Sequence, residues 1–385
     1  MNFNIIFAVI FYGLLYIFYL KHKNKFEVQG KIFALYRTKL GIKLMDKIAK
    51  KFPKTLNFIG HLGILFGFAG MIFMLYYLFK GAYNLLFVKG ATPVVAPVLP
   101  GISIPGLPEL SFWHWIIAIF IVAVIHEFSH GVLSRVYNVK VKSSGFAFLG
   151  PILAAFVEPD EKQVKKKKKN HQLSIMAAGP FSNVLLALIV LLSFNFLFLP
   201  LENSFIEPKG IMIVNVESGG PASEAGLTAN SIIKEINNQE IKSKTDLFNI
   251  LKDFKQGTLN LITDKGSYNI KPIFKDGKAY LGISIIDVNG VKAGYPTSLL
   301  SIFLWFNMLF FWIWVISFGI GLFNLLPFGP IDGGRMFQIV ALSLFKKEKA
   351  NNLFKAITFI SLILLIINLA PFIIKLFSWL FGLFS

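Results

Sequence analysis

Six long apolar runs constrain this chain more than any other feature of its sequence. They lie near residues 3–20, 57–79, 112–136, 172–199, 298–326 and 354–384. A helix needs about 20 mostly apolar residues to cross a bilayer, and the runs approach or exceed that length. The chain of 385 residues is 55% hydrophobic and only 15% charged, unlike a soluble domain of this size. The sequence therefore predicts a polytopic α-helical membrane protein with about six transmembrane helices.

Positive charge is concentrated in three connections between these runs. The net charge is +19, and lysine is abundant in the loops 21–56 and 137–171, which include KKKKK at 165–169, and after the fifth run. Loops of this kind face the cytoplasm and its anionic lipid. We therefore expect the lipid bilayer, and no nucleic acid, as the partner of this charge. By span count, segments 80–111 and 200–297 and both termini then lie outside the cytoplasm.

The segment IVAVIHEFSHGVLSRV, residues 121–136, places three ionisable side chains in an apolar run. On a helix, His126 and His130 lie one turn apart on one face, a spacing that lets two imidazoles bind one zinc ion. Glu127 stands where H-E-x-x-H sites carry their general base. Ionisable groups at membrane depth are costly unless they are partnered, and a divalent cation is one partner for all three. The chain has no cysteine, so His, Asp or Glu must hold any metal.

A third metal ligand is needed, and Asp332 in NLLPFGPIDGGR, residues 324–335, is the candidate. Prolines break the fifth run just before it, and Gly333 and Gly334 allow the backbone to fold tightly behind it. Taken alone, this segment is more typical of a turn at the membrane edge than of a metal site. Both motifs fall at the cytoplasmic ends of their predicted spans, which favours a site formed by two histidines and this aspartate.

The remaining segments of the chain differ in composition and in residue pattern. Residues 205–290 contain short β-rich runs and one helical stretch, LFNILKDF, and we expect a small soluble α+β domain there. Residues 81–111 are apolar but interrupted by Pro and Gly, which leaves either a re-entrant cap or an ordinary loop. The first run lacks a basic n-region and a cleavage site, so we expect a retained span. The predicted divisions are 1–111, 112–199, 205–290, 298–345 and 354–385.

Several motifs together resemble the site-2 protease family of intramembrane zinc metalloproteases. HEFSH at 126–130 matches the family's HExxH, and NLLPFGPIDGG at 324–334 is similar to its Asn-x-x-Pro and Asp-Gly pattern. AAGPFSN at 177–183 resembles its Gly-Pro-x-x-Asn segment. GPASEAGL at 220–227 and LGISI at 281–285 resemble parts of the PDZ domain that many members carry between the two catalytic spans. The resemblance covers roughly residues 112–345.

The resemblance implies a zinc ion held by His126, His130 and Asp332, with Glu127 as general base and acid. It implies that Asn324 contacts the substrate carbonyl or oxyanion, although capping of a broken helix is an alternative. It also implies that Asn183 and Gly179 position the substrate, although close helix packing is an alternative. Residues 145–159 correspond to a membrane-embedded β-hairpin that offers an edge strand to substrate, unless they form an interfacial connection.

These expectations describe an endopeptidase that cleaves transmembrane segments of membrane-anchored proteins, including proteins already cut by another protease. Its active site lies near the cytoplasmic side, and the PDZ-like domain lies outside, as a size filter or a dock for new C-termini. One alternative is a non-catalytic metal-binding scaffold that recruits partners through the PDZ-like domain, but such a protein has no need of Glu127. A metal-ion transporter is the other, and its carboxylates would be spread over several spans.

Overall fold

The computed structural model describes residues 3–29, 33–102, 104, 106–149, 152–275, 278–292 and 294–382. The chain forms two compact units, the membrane unit (Met1–Ser193 with Met308–Ser385) and the inserted unit (Phe194–Asn307). The helices are α1 (Phe3–Lys21), α2 (Ile42–Lys51), α3 (Pro53–Phe87), α4 (Phe112–Val136), α5 (Glu161–Lys165), α6 (Lys169–Ser193), α7 (Leu199–Phe205), α8 (Pro221–Glu224), α9 (Lys244–Asp253), α10 (Thr297–Phe323), α11 (Asp332–Leu344) and α12 (Lys347–Phe381). The strands are β1 (Phe26–Gln29), β2 (Phe33–Thr38), β3 (Val141–Leu149), β4 (Ile152–Pro159), β5 (Ile206–Val216), β6 (Ile232–Ile236), β7 (Gln239–Glu240), β8 (Leu259–Thr263), β9 (Gly266–Ile270), β10 (Ile273–Lys275), β11 (Lys278–Tyr280) and β12 (Ile283–Val291).

Among the residues that the structure describes, five helical segments are long and apolar enough to cross a membrane. They are α3, α4, α6 with its continuation to Phe205, α10, and α12 as far as Lys375. The described apolar part of α1, Ile6–Lys21, is shorter. By length and composition, the chain is a multi-pass membrane protein, and five of the six predicted spans have a matching helix. A spanning role for α1 stays a prediction.

Two predicted helix boundaries differ from the structure. Helix α3 continues to Phe87, so the first residues of the segment 81–111 are helical, and the irregular part begins only after them. A proline such as Pro371 is expected to kink or break a helix, yet α12 continues through it without a break. A proline removes one helical hydrogen bond, and the long apolar runs on both sides of Pro371 keep the remaining bonds.

A four-stranded antiparallel sheet with the order β1-β2-β3-β4 accompanies the helices of the membrane unit. The hairpin predicted at 145–159 forms as β3 and β4, with Gly145 opposite Phe156. The first hairpin, β1 and β2, lies in the basic loop 21–56 and was missed, because strands of four and six residues are too short to show a clear alternation. Pairing of β2 with β3 joins the two hairpins. Placement of this sheet within a bilayer stays a prediction.

Arg37 on β2 connects three strands of this sheet. Its guanidinium donates to Glu27 on β1 at 2.7 Å and to Ser143 on β3 at 2.8 Å, and it also pairs with Glu158 on β4. The hydrogen bond from Ser143 and the nearby Arg37 charge lower the pKa of Glu158, which is therefore ionised at neutral pH. This network fixes β4 relative to the rest of the sheet.

Small residues bring the helices of the membrane unit close together. Gly60, Gly63 and Gly67 are buried along α3. A Cβ atom at Gly67 would lie 2.5 Å from the Met336 methyl group on α11, and one at Gly63 would lie 3.4–3.5 Å from Phe181 on α6. Such residues let membrane helices approach closely and pack by van der Waals contact. Helices α3, α4, α6 and α11 share one buried apolar cluster.

The inserted unit is an α+β domain, as the sequence predicts. Its main sheet has the order β12-β5-β6-β8-β9, and its core includes the buried residues Ile211, Ile233 and Leu261. The predicted helix forms as α9, which begins with a capping box between Ser243 and Asp246. The likeness of this unit to a PDZ domain stays a prediction.

Candidate metal centre and active site

Helix α4 presents His126 and His130 to Asp332 at the start of α11. The two Nε2 atoms are 3.2 Å apart, and Asp332 Oδ2 lies 3.0 Å from Nε2 of His126 and 3.3 Å from Nε2 of His130. Both histidines are buried. The structure thus brings together the three predicted ligands across 206 residues of chain.

These separations fit a tetrahedral zinc site. Ligand atoms about 2.0–2.1 Å from one ion, at tetrahedral angles, lie about 3.3 Å from each other. The three observed separations of 3.0, 3.2 and 3.3 Å are close to that value. Two imidazole nitrogens and one carboxylate oxygen also form a common ligand set for catalytic zinc, which leaves a fourth position open. The residues present therefore fit the metal that the sequence predicts.

A tight turn between α10 and α11 carries Asp332 to the histidines. The Gly333 N–H donates to the Asn324 carbonyl at 2.7 Å, which closes the turn. A Cβ atom at Gly334 would lie 2.5 Å from the Phe328 carbonyl oxygen, and one at Gly333 would clash with the Leu325 backbone. Both glycines are thus required for the backbone to fold back behind Asp332, as predicted.

The second nitrogen of each histidine also has a partner. His130 Nδ1 donates to the Ile175 carbonyl at 2.6 Å, which leaves its Nε2 free to bind metal. His126 Nδ1 lies 3.1 Å from the amide of Asn183, a side chain with no exposed surface. The proton on Nδ1 needs an acceptor when Nε2 binds a metal, and the Asn183 amide oxygen provides one when it faces His126. With the nitrogen facing His126 instead, Asn183 Oδ1 is buried without a partner.

Gly179 on α6 lies directly against the ligand nitrogens. A Cβ atom there would lie 2.5 Å from His126 Nε2 and closer still to His130 Nε2. Only glycine lets the α6 backbone approach the ligand set this closely. The contacts of Gly179 and Asn183 are therefore with the histidines, and their predicted contact with substrate stays a prediction.

Glu127 points to the sheet. Its Oε2 accepts the Val157 N–H of β4 at 3.0 Å. Among the strands described, β4 pairs only with β3, so this bond lies on the free edge of the sheet. The predicted general base is thus held between the metal ligands on its own helix and the edge strand.

Asn324 lies at the C-terminal end of α10. Its Nδ2 donates to the Ile320 carbonyl at 3.0 Å, which is the helix-capping contact considered as the alternative in the sequence analysis. Contact of Asn324 with an oxyanion stays a prediction.

Sequence reasoning missed three groups around the site. They are the Ile175 carbonyl, the Val157 N–H and Ser317, whose Oγ donates to the Asn183 carbonyl at 2.8 Å. Two of these are backbone groups, which every residue carries and which leave no signal in a sequence. Ser317 is a serine within the apolar helix α10, a position where hydrogen bonds between helices are common.

Two buried histidines and an aspartate that fit a zinc ion, with a carboxylate beside them in a membrane protein, are typical of a metallohydrolase site. The profile of Peptidase family M50 matches residues 114–368, well over half of the chain. The chain belongs to this family, and the matched segment includes every candidate site residue.

Similarity to individual proteins agrees with the family. An uncharacterized protein of Methanocaldococcus jannaschii is 33% identical over 355 residues, which cover 90% of this chain and 87% of that protein. A Clostridium perfringens protein named "Putative zinc metalloprotease" is 23% identical, with 66% of this chain and 89% of that protein covered. A Rickettsia conorii protein with the same description is 28% identical, with coverage of 40% and 50%. Family and names support a membrane metalloprotease, and its metal is zinc.

Proposed function

We propose that this protein is an intramembrane endopeptidase that cleaves transmembrane segments of membrane-anchored proteins, including proteins already cut by another protease. One observation carries the proposal. The ligand atoms of His126 and His130 on α4 and of Asp332 on α11 lie close together, and α4 is long and apolar enough to cross a membrane. A hydrolytic site on such a helix acts on peptide bonds that reach membrane depth.

The residues of the site have separate roles in this proposal. A zinc ion held by His126, His130 and Asp332 would polarise the substrate carbonyl and lower the pKa of the attacking water. Glu127 accepts a proton from that water as its oxygen bonds to the carbonyl carbon. When the carbon–nitrogen bond breaks, Glu127 returns the proton to the leaving amine. Asn324 helps to stabilise the oxyanion, which requires its amide to turn away from Ile320.

Strand β4 is the proposed binding edge for substrate. A transmembrane helix that unwinds inside the bilayer loses its backbone hydrogen bonds and needs new partners. An edge strand supplies such partners by β-augmentation. The Val157 N–H at this edge lies 3.0 Å from Glu127, so a peptide along β4 passes close to the general base.

Sidedness and the role of the inserted unit are also proposals. The three lysine-rich connections favour a cytoplasmic location for the end of α4 that carries the site. The inserted unit then lies outside the cytoplasm, where it filters substrates by size or docks newly formed C-termini. The test compares the intact protein with a variant that lacks residues 205–290. If each of them cleaves full-length and trimmed substrates at equal rates, the inserted unit is not a size filter.

Removal of the third ligand tests the metal centre. We expect purified wild-type protein to hold close to one zinc ion per chain, and Asp332→Ala to bind zinc at least about 100-fold more weakly, because a ligand matters more than its supporting hydrogen bonds. Asp253→Ala, at an exposed position at the end of α9, is the control and should keep its zinc. Zinc is measured by elemental analysis and by chelator competition. Normal zinc content in Asp332→Ala would exclude the proposed ligand set.

Cleavage of a single-span substrate in proteoliposomes tests the activity itself. A chelator should stop it, and added zinc should restore it. A protein that binds zinc at this centre but cleaves nothing would instead be the non-catalytic scaffold.

Asn183 is expected to position His126 rather than to act on substrate. In Asn183→Leu the His126 Nδ1 proton loses its acceptor, and we expect zinc affinity to fall about 10- to 100-fold. Asn183→Asp keeps an acceptor oxygen and should retain most of the affinity. Zinc affinity is measured together with thermal stability. Equal zinc affinity in Asn183→Leu and wild type would contradict this role.

A further inference from the structure

An apolar cavity of about 200 Å³ lies between α4, the β3–β4 hairpin and the residues that precede α2. Its wall includes Phe120, Val124 and Phe128 from α4 and Phe146 and Ala155 from the hairpin. The catalytic zinc ligands are not among the residues that line it. The cavity is therefore a space separate from the metal centre.

Glu127 is the one charged residue among those that line this cavity. The same carboxylate accepts the Val157 N–H, and Val157 also contributes to the wall. A general base must come within about 3 Å of the water that it deprotonates and of the amine that it protonates. The scissile bond must therefore lie close to this carboxylate, and so close to the cavity that it lines.

The position of the cavity along β4 determines what enters it. Successive residues of an extended peptide are about 3.3 Å apart, and their side chains point to opposite faces. When a peptide bond lies at Glu127, one of the two side chains that flank this bond is directed to the cavity side of the strand. The space takes one such side chain, since a cavity of about 150 Å³ with apolar walls holds a benzene molecule.

We propose that this cavity is a specificity pocket that receives one side chain flanking the scissile bond and selects a large apolar residue there, of phenylalanine or leucine size. The inference rests on the proposed protease function. Burial of the ring or branched chain among Phe120, Phe128 and Phe146 favours it over a small or charged side chain. In a bilayer this preference holds because the pocket is closely packed around the side chain, as in an ordinary protein core.

A library of single-span peptides tests this pocket. The peptides share an alanine-rich centre with two adjacent randomised positions, and the full-length protein cleaves them in proteoliposomes. Mass spectrometry identifies each cut, and competition within the library gives relative kcat/KM values. For wild type we expect Phe or Leu at one flanking position to exceed Ala by at least about tenfold, the range typical of apolar pockets.

Two variants alter the pocket in opposite directions. Ala155→Leu adds three carbon atoms to the wall, and we expect the Phe-to-Ala ratio to fall by about tenfold or more while peptides with Ala are still cleaved. Ala356→Leu is the control for the added carbon atoms, since Ala356 is exposed on α12 and does not line the cavity. Val124→Ala enlarges the pocket and should raise the ratio of Trp to Phe.

Zinc content confirms that each variant is folded. An unchanged Phe-to-Ala ratio in Ala155→Leu and an unchanged Trp-to-Phe ratio in Val124→Ala would overturn the pocket. So would a wild-type protein that cuts without preference at both flanking positions. Failure of the protease function has a different result, because wild type would then cleave no peptide at all and would match Glu127→Gln.

Discussion

Replacement of Glu127 by glutamine is expected to abolish peptide cleavage while the protein keeps its zinc. A glutamine amide does not accept a proton at neutral pH, and general acid–base catalysis contributes about 10²- to 10⁴-fold to a rate. The three metal ligands are unchanged. The glutamine oxygen can still accept the Val157 N–H, so the contact between α4 and β4 is retained. The variant therefore separates chemistry from metal binding.

The measurement compares initial rates of cleavage and zinc content in the same preparations. Glu161→Gln is the control, since Glu161 is an exposed carboxylate on α5 whose ion pair with Lys165 has little effect on stability. We expect its rate and zinc content to equal those of wild type. A Glu127→Gln rate within tenfold of wild type would remove Glu127 from the role of general base.

Substitution of Gly179 by alanine is expected to disrupt the metal centre itself. The added methyl group would occupy space within 2.5 Å of His126 Nε2, and it would clash with His130 Nε2 as well. Either the imidazoles or α6 must move. A displacement of about 1 Å is enough to lower activity about 100-fold, and we expect at least this loss together with weaker zinc binding.

Gly319→Ala on α10 is the matched control for this substitution. Gly319 is also within an apolar helix, and a Cβ atom there would have no atom within 4 Å among the residues described. Alanine at such a position should leave zinc affinity and activity unchanged, or slightly stabilise the helix. Thermal unfolding of both variants shows whether the effect is local. Full activity and normal zinc affinity in Gly179→Ala would show that the close approach of α6 to the histidines is not required.

The local parts of the site were readable from the sequence. His126 and His130 are one helical turn apart, and this spacing requires only that residues 121–136 form a helix. The glycines after Asp332 predicted a tight turn because only small residues fit where the chain folds back on itself. The position of both motifs at the cytoplasmic ends of their predicted spans favoured their pairing, and the resemblance to a known family implied the same ligand set.

Other parts of the structure depend on contacts between distant segments. The hairpin formed by β1 and β2 pairs with β3, more than a hundred residues later in the chain. This pairing uses backbone groups, which every residue carries and which leave no signal in the sequence. The cavity beside Glu127 is a space between α4 and the hairpin, and its volume depends on how far these elements approach each other. Asn183 was noticed from its motif, but its contact with His126 follows from the packing of α6 on α4.

The sequence by itself determined that this is a multi-pass helical protein and which residue types can bind the metal, because hydropathy, helical spacing and ligand chemistry are local properties. Only the tertiary structure decided that Asp332 lies 3.0 Å from His126, that the Val157 N–H reaches Glu127, and that Gly179 lies against both imidazoles. The physical reason is that such distances follow from helix packing and strand pairing. Both depend on backbone hydrogen bonds and on positions such as Gly179, where a missing side chain lets two elements come close.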